Sequence, residues 1–276
     1  MLVENNVAGM FGGNHKSKTY GSSCEFADYR DYIPGDDITK IDWNAFARFE
    51  KLYLKLYLDE RQMHTRIYID ASRSMGYGKG KKDEQAIKIA ATIAYLSINE
   101  MDKVSIYIIH EKQIEELISG MLGKEAFINN IGKLNSVIFE GDSYISDAIL
   151  PTTVGYGDGM SVIISDFLTD NNYEDAVNYL VGKKRDVFCI QILTNEELNP
   201  KVRGKMHFFD SEDNDKFYRK HITRDIINAY RQALEYATGR IRDLCHSRGA
   251  EYLLASSTES VVDIFFNKMT SMGVLK

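Results

Sequence analysis

Two segments constrain the fold more than any others in the chain: MSVIISDF at 160–167 and RDVFCIQIL at 185–193. Both are nearly continuous apolar runs, too short for buried helices and rich in β-branched residues. A strand apolar on both faces must be covered on both, which is the condition of a parallel sheet packed between helices. TRIYID (65–70) and KVSIYIIH (103–110) read the same way, the latter with an edge partner near 112–118. Between them, 83–100 reads as a helix with Ile87, Ala90, Ala91, Ala94 and Ile98 on one face, small enough to lie close on a sheet. Residues 124–135 and 143–150 also look helical, and Pro151 and Pro200 fall where elements should end. After residue 200, MHFFD and AEYLLASS read as further strands around a long amphipathic helix with Ile226, Tyr230, Leu234, Ala237, Ile241 and Leu244 inward. This alternation predicts an α/β fold with an open, mostly parallel, doubly wound sheet of the Rossmann type.

The 276 residues divide by pattern into three parts. Residues 1–23, rich in Gly, Ser and Asn, read as a flexible lead-in; 24–62 as a β-rich segment packed on the main domain; and 63–276 as the α/β domain itself. KLYLKLYL at 51–58 alternates like a strand with one wet face. A net charge of −6 argues against broad nucleic-acid binding, which needs a basic surface. Cys24, Cys189 and Cys245 are odd in number and unpaired in sequence, as expected of reduced thiols and not of a zinc site. The first residues lack a basic leader, and no apolar run approaches the ~18 residues that span a bilayer. The expectation is therefore a soluble, cytoplasmic protein.

Ligands of a parallel α/β sheet bind outside the carboxyl ends of its strands. Asp70 closes the strand 65–70 and Asp166 follows the run VIIS, so both carboxylates belong to one edge. Ser72 and Ser74 sit in the loop after Asp70, and GDSYIS (141–146) offers Ser143. Two carboxylates and several hydroxyls suit a hard divalent cation such as Mg2+ or Mn2+, with a position left for an outside carboxylate. For a lone Asp-x-Ser-x-Ser, an Asx turn and helix capping are the better explanation. The second aspartate and Ser143 tilt the balance toward the cation.

IDASRSMG resembles the first motif of the metal-ion-dependent adhesion site of von Willebrand factor A domains. YRDYIPGDDITKIDWNAFARFEKLYLKLYLDER resembles the signature of the domain of unknown function 58 family, in which such a segment precedes a von Willebrand A-like domain. The resemblance runs over most of 24–270 and is strongest at 26–76. It implies that Asp70, Ser72 and Ser74 form the first metal motif and Asp166 the third. Ser143 aligns with the middle position, where such domains usually carry threonine; Thr152 and Thr153 fit less well. Relatives that carry membrane segments before this region differ from this chain, which matches a soluble form. The resemblance further implies a non-enzymatic adaptor that works with a MoxR-type AAA+ ATPase in chaperone-like maturation or assembly, its cation docking a partner's Asp or Glu.

Two other functions stay open. One is a magnesium-dependent phosphotransfer or hydrolytic enzyme with Asp70 as nucleophile, although Ser72 stands where a haloacid dehalogenase-type phosphatase has its second aspartate. The other is a von Willebrand A-like fold that has lost its metal. In the preceding segment, IPGDD marks a type II turn. Arg30, Asp36, Asp37, Asp42, Trp43 and Arg48 there either read a partner or pair among themselves while Trp43 anchors the segment to the core. KGKK (79–82) either steers an acidic partner or is a solvated loop, the commoner fate of such a run. The six histidines show no ligand spacing, and SEDNDKFY (211–218) reads as a polar turn.

Overall fold

Residues 16–20, 26–60, 63–76, 81–157, 159–169, 172–200, 204–209 and 217–269 are described by a computed structural model. The chain divides into two units, Gly12–Gln62 and a larger one that takes up from Met63. In the smaller unit, β1 (Lys16–Tyr20), β2 (Phe26–Asp31) and β3 (Tyr53–Glu60) form an antiparallel sheet in the order β1-β3-β2. Between β2 and β3 the chain turns at Pro34–Gly35, where the Asp36 amide donates to the Ile33 carbonyl and Gly35 adopts φ +107°, as the sequence predicts. A 3-10 turn (Ile38–Lys40) and helix α1 (Trp43–Phe49) follow.

The acidic residues of this segment serve local structure. Asp37 caps the 3-10 turn, and Asp42 caps α1 by accepting from the Asn44 and Ala45 amides. Asp42 also takes the Tyr29 hydroxyl at 2.8 Å and Lys55 at 3.3 Å, and this set of donors, Tyr29 foremost, holds its pKa at about 2. Arg30 pairs with Asp36 at 2.8 Å. Within the smaller unit Trp43 stands edge-on to Phe46.

The larger unit is built on a six-stranded sheet. Its strands are β4 (His64–Asp70), β5 (Lys103–His110), β6 (Gln113–Met121), β7 (Met160–Ser165), β8 (Asp186–Leu193) and β11 (Glu251–Ser256), in the order β11-β8-β7-β4-β5-β6. All neighbours run parallel except the edge strand β6, the antiparallel partner expected after β5. Helices α2 (Arg73–Gly76), α3 (Lys82–Asn99), α4 (Gly123–Asn130), α5 (Ile145–Ile149), α6 (Glu174–Gly182), α7 (Asn195–Leu198) and α8 (Arg224–Arg248) connect the strands.

Because successive residues of β4, β7 and β8 face opposite ways, they feed two separate cores. Ile67, Ile69, Val162, Ile164, Phe188 and Ile190 pack with α3, while Tyr68, Ile163, Val187 and Cys189 pack with α5, α6 and α8. Each fully buried large apolar side chain contributes about 1.5–3 kcal/mol relative to exposure, which is why the central strands dominate the stability of this unit. The small residues of α3 let it lie on the sheet. Its buried stripe is rotated from the predicted one, however, to Ala86, Ile89, Ala90, Ile93, Ala94 and Ile98, with Ile87 and Ala91 at the margin.

Two further departures concern the C-terminal part. Among the described residues, strand β9 (Gly204–Phe209), which contains most of MHFFD, pairs with β10 (Phe217–Ile222) in a two-stranded antiparallel ladder and not with the main sheet. The end of SEDNDKFY is thus strand, and 211–216 lie outside the described residues, as does Cys24. Helix α8 buries Ile241 and Cys245, but its N-terminal half leaves Ile226 40% and Tyr230 38% exposed. The thiols of Cys189 and Cys245 meet across β8 and α8, and the hydrogen bond between them, with burial, pushes the Cys189 pKa up. His64 is neutral at neutral pH: burial and then the nearby Arg66, Lys103 and Arg185 bring its pKa down to about 4.

Candidate metal centre

Register explains how the oxygens meet. β4 and β7 pair with Ile69 level with Ile164, so Asp70 comes out level with Ser165. The Ser165 hydroxyl donates to Asp70 Oδ2 at 2.5 Å, and Asp166 is the next residue along. Beyond the strand end, the Ala71 amide donates to the Ile109 carbonyl of β5.

The loop carrying Ser143 is stitched to both neighbours. The Glu140 amide donates to the Ala71 carbonyl, and the Arg73 amide donates to the Gly141 carbonyl. Glu111 and Ser143 form an isolated parallel bridge, in which the Glu111 amide donates to the Asp142 carbonyl and the Tyr144 amide to the Glu111 carbonyl. Three loops are therefore fixed by backbone hydrogen bonds at one edge of the sheet, and Asp70, Ser72, Ser143 and Asp166 are all buried there. Ser72 and Ser74 place their hydroxyl oxygens 3.1 Å apart. Thr152 and Thr153 lie elsewhere: the Thr152 hydroxyl donates to the Ile149 carbonyl, and the Thr153 carbonyl accepts from Arg66 near the start of β4.

The local turns also form. Asp70 Oδ1 accepts from the Ser72 amide at 2.9 Å, and Asp166 Oδ1 from the Leu168 amide at 3.1 Å, both Asx turns. These account for one oxygen of each carboxylate; the Ser165 hydroxyl takes the other oxygen of Asp70 and the Lys82 ammonium the other oxygen of Asp166. Burial first, and then the negative charge of Asp166, push the pKa of Asp70 up, against the hydrogen bonds from Ser165 and Ser72. A cation between the acids would relieve that repulsion, and every available donor is a hard oxygen. The set fits Mg2+ or Mn2+ by chemistry. Among the described residues no cluster of three or more His, Cys, Asp or Glu side chains exists for a softer, closed site.

Sequence reasoning missed three neighbours of this edge. Lys82, the last residue of KGKK, is neither solvated nor free to steer a partner: it is 3% exposed, and its ammonium donates to Asp166 Oδ2 at 2.8 Å and Glu197 Oε1 at 2.9 Å. Lys81 is exposed, and residues 79–80 lie outside the described residues. Glu197 closes a capping box with Thr194 at the start of α7, a pattern readable as Thr-x-x-Glu in the sequence. Gln191 fixes Asp166 from below, its amide donating to the Asp166 carbonyl at 2.6 Å.

Residues 28–239 match the family model described as "Protein of unknown function DUF58". The chain belongs to the DUF58 family. Among proteins similar to this DUF58 chain are "Uncharacterized protein Mb1516" of Mycobacterium bovis and "Uncharacterized protein Rv1480" of Mycobacterium tuberculosis. Each is 23% identical over 219 residues, which is 77% of this chain and 68% of the relative. Similar solved structures include an aerotolerance-related membrane protein from Bacteroides fragilis, 14% identical with a TM-score of 0.39, covering 76% of this chain and 100% of that one. The VWA domain of SpRpn10 is 10% identical with a TM-score of 0.40, over 75% of this chain and 95% of that one. Proximal thread matrix protein 1 from the mussel byssus, with a zinc-occupied MIDAS motif, is 10% identical with a TM-score of 0.42, over 77% and 46%. No helix among the described residues of the DUF58 chain is long and apolar enough to cross a membrane.

Proposed function

We propose that this DUF58 chain is a non-enzymatic, metal-dependent protein-interaction module, working as an adaptor to a MoxR-type AAA+ ATPase in chaperone-like maturation or assembly. What supports the reading above all is that the β4–β7 register brings two buried carboxylates to one sheet edge, beside the stitched loops that carry Ser72, Ser74 and Ser143. Asp70, Ser72, Ser74, Ser143 and Asp166 would hold Mg2+ or Mn2+. Bound there, the ion would supply a Lewis-acidic position for an Asp or Glu of a partner. The chain's own part is to fix the donors before the partner arrives, so that little ordering entropy is lost on docking.

Asp70 as an enzymatic nucleophile finds less support. It is 3% exposed, and both of its oxygens accept hydrogen bonds from its own fold. Arg30, Asp36 and Asp37 are engaged in local pairing and capping, whereas exposed Trp43 and Arg48 are the members of that cluster best suited to touch a partner.

The test is co-purification of a MoxR-type ATPase with the tagged chain, with and without EDTA. Asp70→Ala and the isosteric Asp70→Asn should each weaken capture by roughly tenfold or more, the scale on which losing one member of a desolvated charged contact acts. EDTA should do the same to the wild type. Equal capture by all three proteins, unaffected by EDTA, would rule out cation-mediated docking.

A further inference from the structure

Lys82 is the least expected side chain in the larger unit. An ammonium buried to 3% exposure costs several kcal/mol in lost hydration unless it is paired. It is paired twice, with Asp166 at 2.8 Å and Glu197 at 2.9 Å. With the Leu168 amide on Oδ1 and Lys82 on Oδ2, both oxygens of Asp166 are engaged by the chain itself. Asp70 differs: its partners are a backbone amide and a hydroxyl, neither carrying charge.

We infer that Lys82 is a specificity-determining residue of the cation edge: a resident positive charge that claims Asp166 and leaves Asp70 as the carboxylate available to an incoming ion. This rests on the metal-dependent reading proposed above. The consequence is electrostatic. Asp70, Asp166 and Glu197 carry three negative charges against the one positive charge of Lys82, so the lysine lowers the pull of this edge on a divalent ion by one unit charge. Glu197 tunes the balance from the other side, because it shares the ammonium with Asp166. It sits in α7, and the Tyr230 hydroxyl of α8 donates to its carbonyl at 3.0 Å, so the tuning group is itself held in place by the fold.

The two partners of the lysine network predict opposite shifts. Titration of Mn2+ into the full chain, followed by calorimetry, should show Lys82→Met binding tighter by roughly tenfold or more, since a unit charge beside the site is removed. Lys82→Arg, which keeps the charge, should stay within about twofold of wild type. Glu197→Gln should bind about three- to tenfold more weakly, because the ammonium then presses its charge on Asp166 alone. A purely structural lysine would lower the melting temperature of Lys82→Met while leaving the Mn2+ affinity of every folded variant unchanged. That result, or weaker binding by Lys82→Met, would overturn the inference and leave the metal reading standing. If Lys82→Met does not fold, the Glu197→Gln shift decides alone. No Mn2+ binding by wild type or any variant would overturn both.

Discussion

Asp166→Ala is expected to destabilise the larger unit by about 3–5 kcal/mol even without any cation, the cost of breaking a buried pair and stranding its partner. Lys82 would be left with Glu197, whose side chain is 28% exposed, and the Leu168 amide would lose its acceptor. Urea denaturation measures this directly. Asp166→Asn should cost less, since it opens no cavity and keeps one oxygen, which can serve either the Leu168 amide or the ammonium but not both. The double variant Lys82→Met with Asp166→Leu should recover most of the loss, because a buried ion pair replaced by apolar groups of similar size is often near neutral. Asp166→Ala within about 0.5 kcal/mol of wild type, the range of ordinary surface changes, would mean the pair is not held as described.

Gly159→Ala is the second large effect, and it arises at the opposite end of the same strands. Gly159 sits at φ +112°, and a Cβ there would stand 2.7 Å from the His64 amide nitrogen and 2.8 Å from its carbonyl oxygen. Both are backbone atoms of the first residue of β4, so no side chain can swing aside to admit the methyl. The His64 carbonyl also accepts from buried Arg185, which bonds the Met160 carbonyl and the Ser161 hydroxyl as well. Conformational strain alone costs about 1–3 kcal/mol at such a position, and the displacement of β4 from β7 adds to it. The expected loss in urea denaturation exceeds 2 kcal/mol by this reasoning, roughly. Gly132→Ala, where nothing lies within 4 Å of the added Cβ, serves as the neutral control. Equal stability of the two variants would contradict the close approach.

The sheet was legible because each central strand carries its own evidence: a run apolar on both faces has nowhere to go but between two layers. The same property made Asp70 and Asp166 conspicuous, since a carboxylate ending such a run lies at a strand's carboxyl end. Helix α8 was legible as a helix and misread in depth. Its apolar stripe continues through Ile226 and Tyr230, but periodicity records only that one face is apolar, not whether a neighbour covers it along the whole length. Lys82 was hidden most deeply. A basic run is read by its average, and nothing in KGKK distinguishes the one lysine that opens α3 and turns inward. Its partners are 84 and 115 residues away in the chain, so only the fold brings them together. Ser165 was closer to sight, because pairing of β4 with β7 in this register sets it level with Asp70.

The most direct test of the cation edge is the melting temperature of the purified chain in millimolar Mg2+ or Mn2+, with Asp70→Asn alongside. A ligand of the folded state stabilises it by mass action, by about 2.7 kcal/mol when present at a hundred times its dissociation constant. The wild type should therefore melt several degrees higher with the cation, as roughly expected for a chain of this size. Asp70→Asn should melt near or above the wild type without cation, being relieved of a buried charge facing Asp166, and should show no rise when the cation is added. A wild type indifferent to both ions, or an Asp70→Asn variant that responds as fully as wild type, would contradict the account.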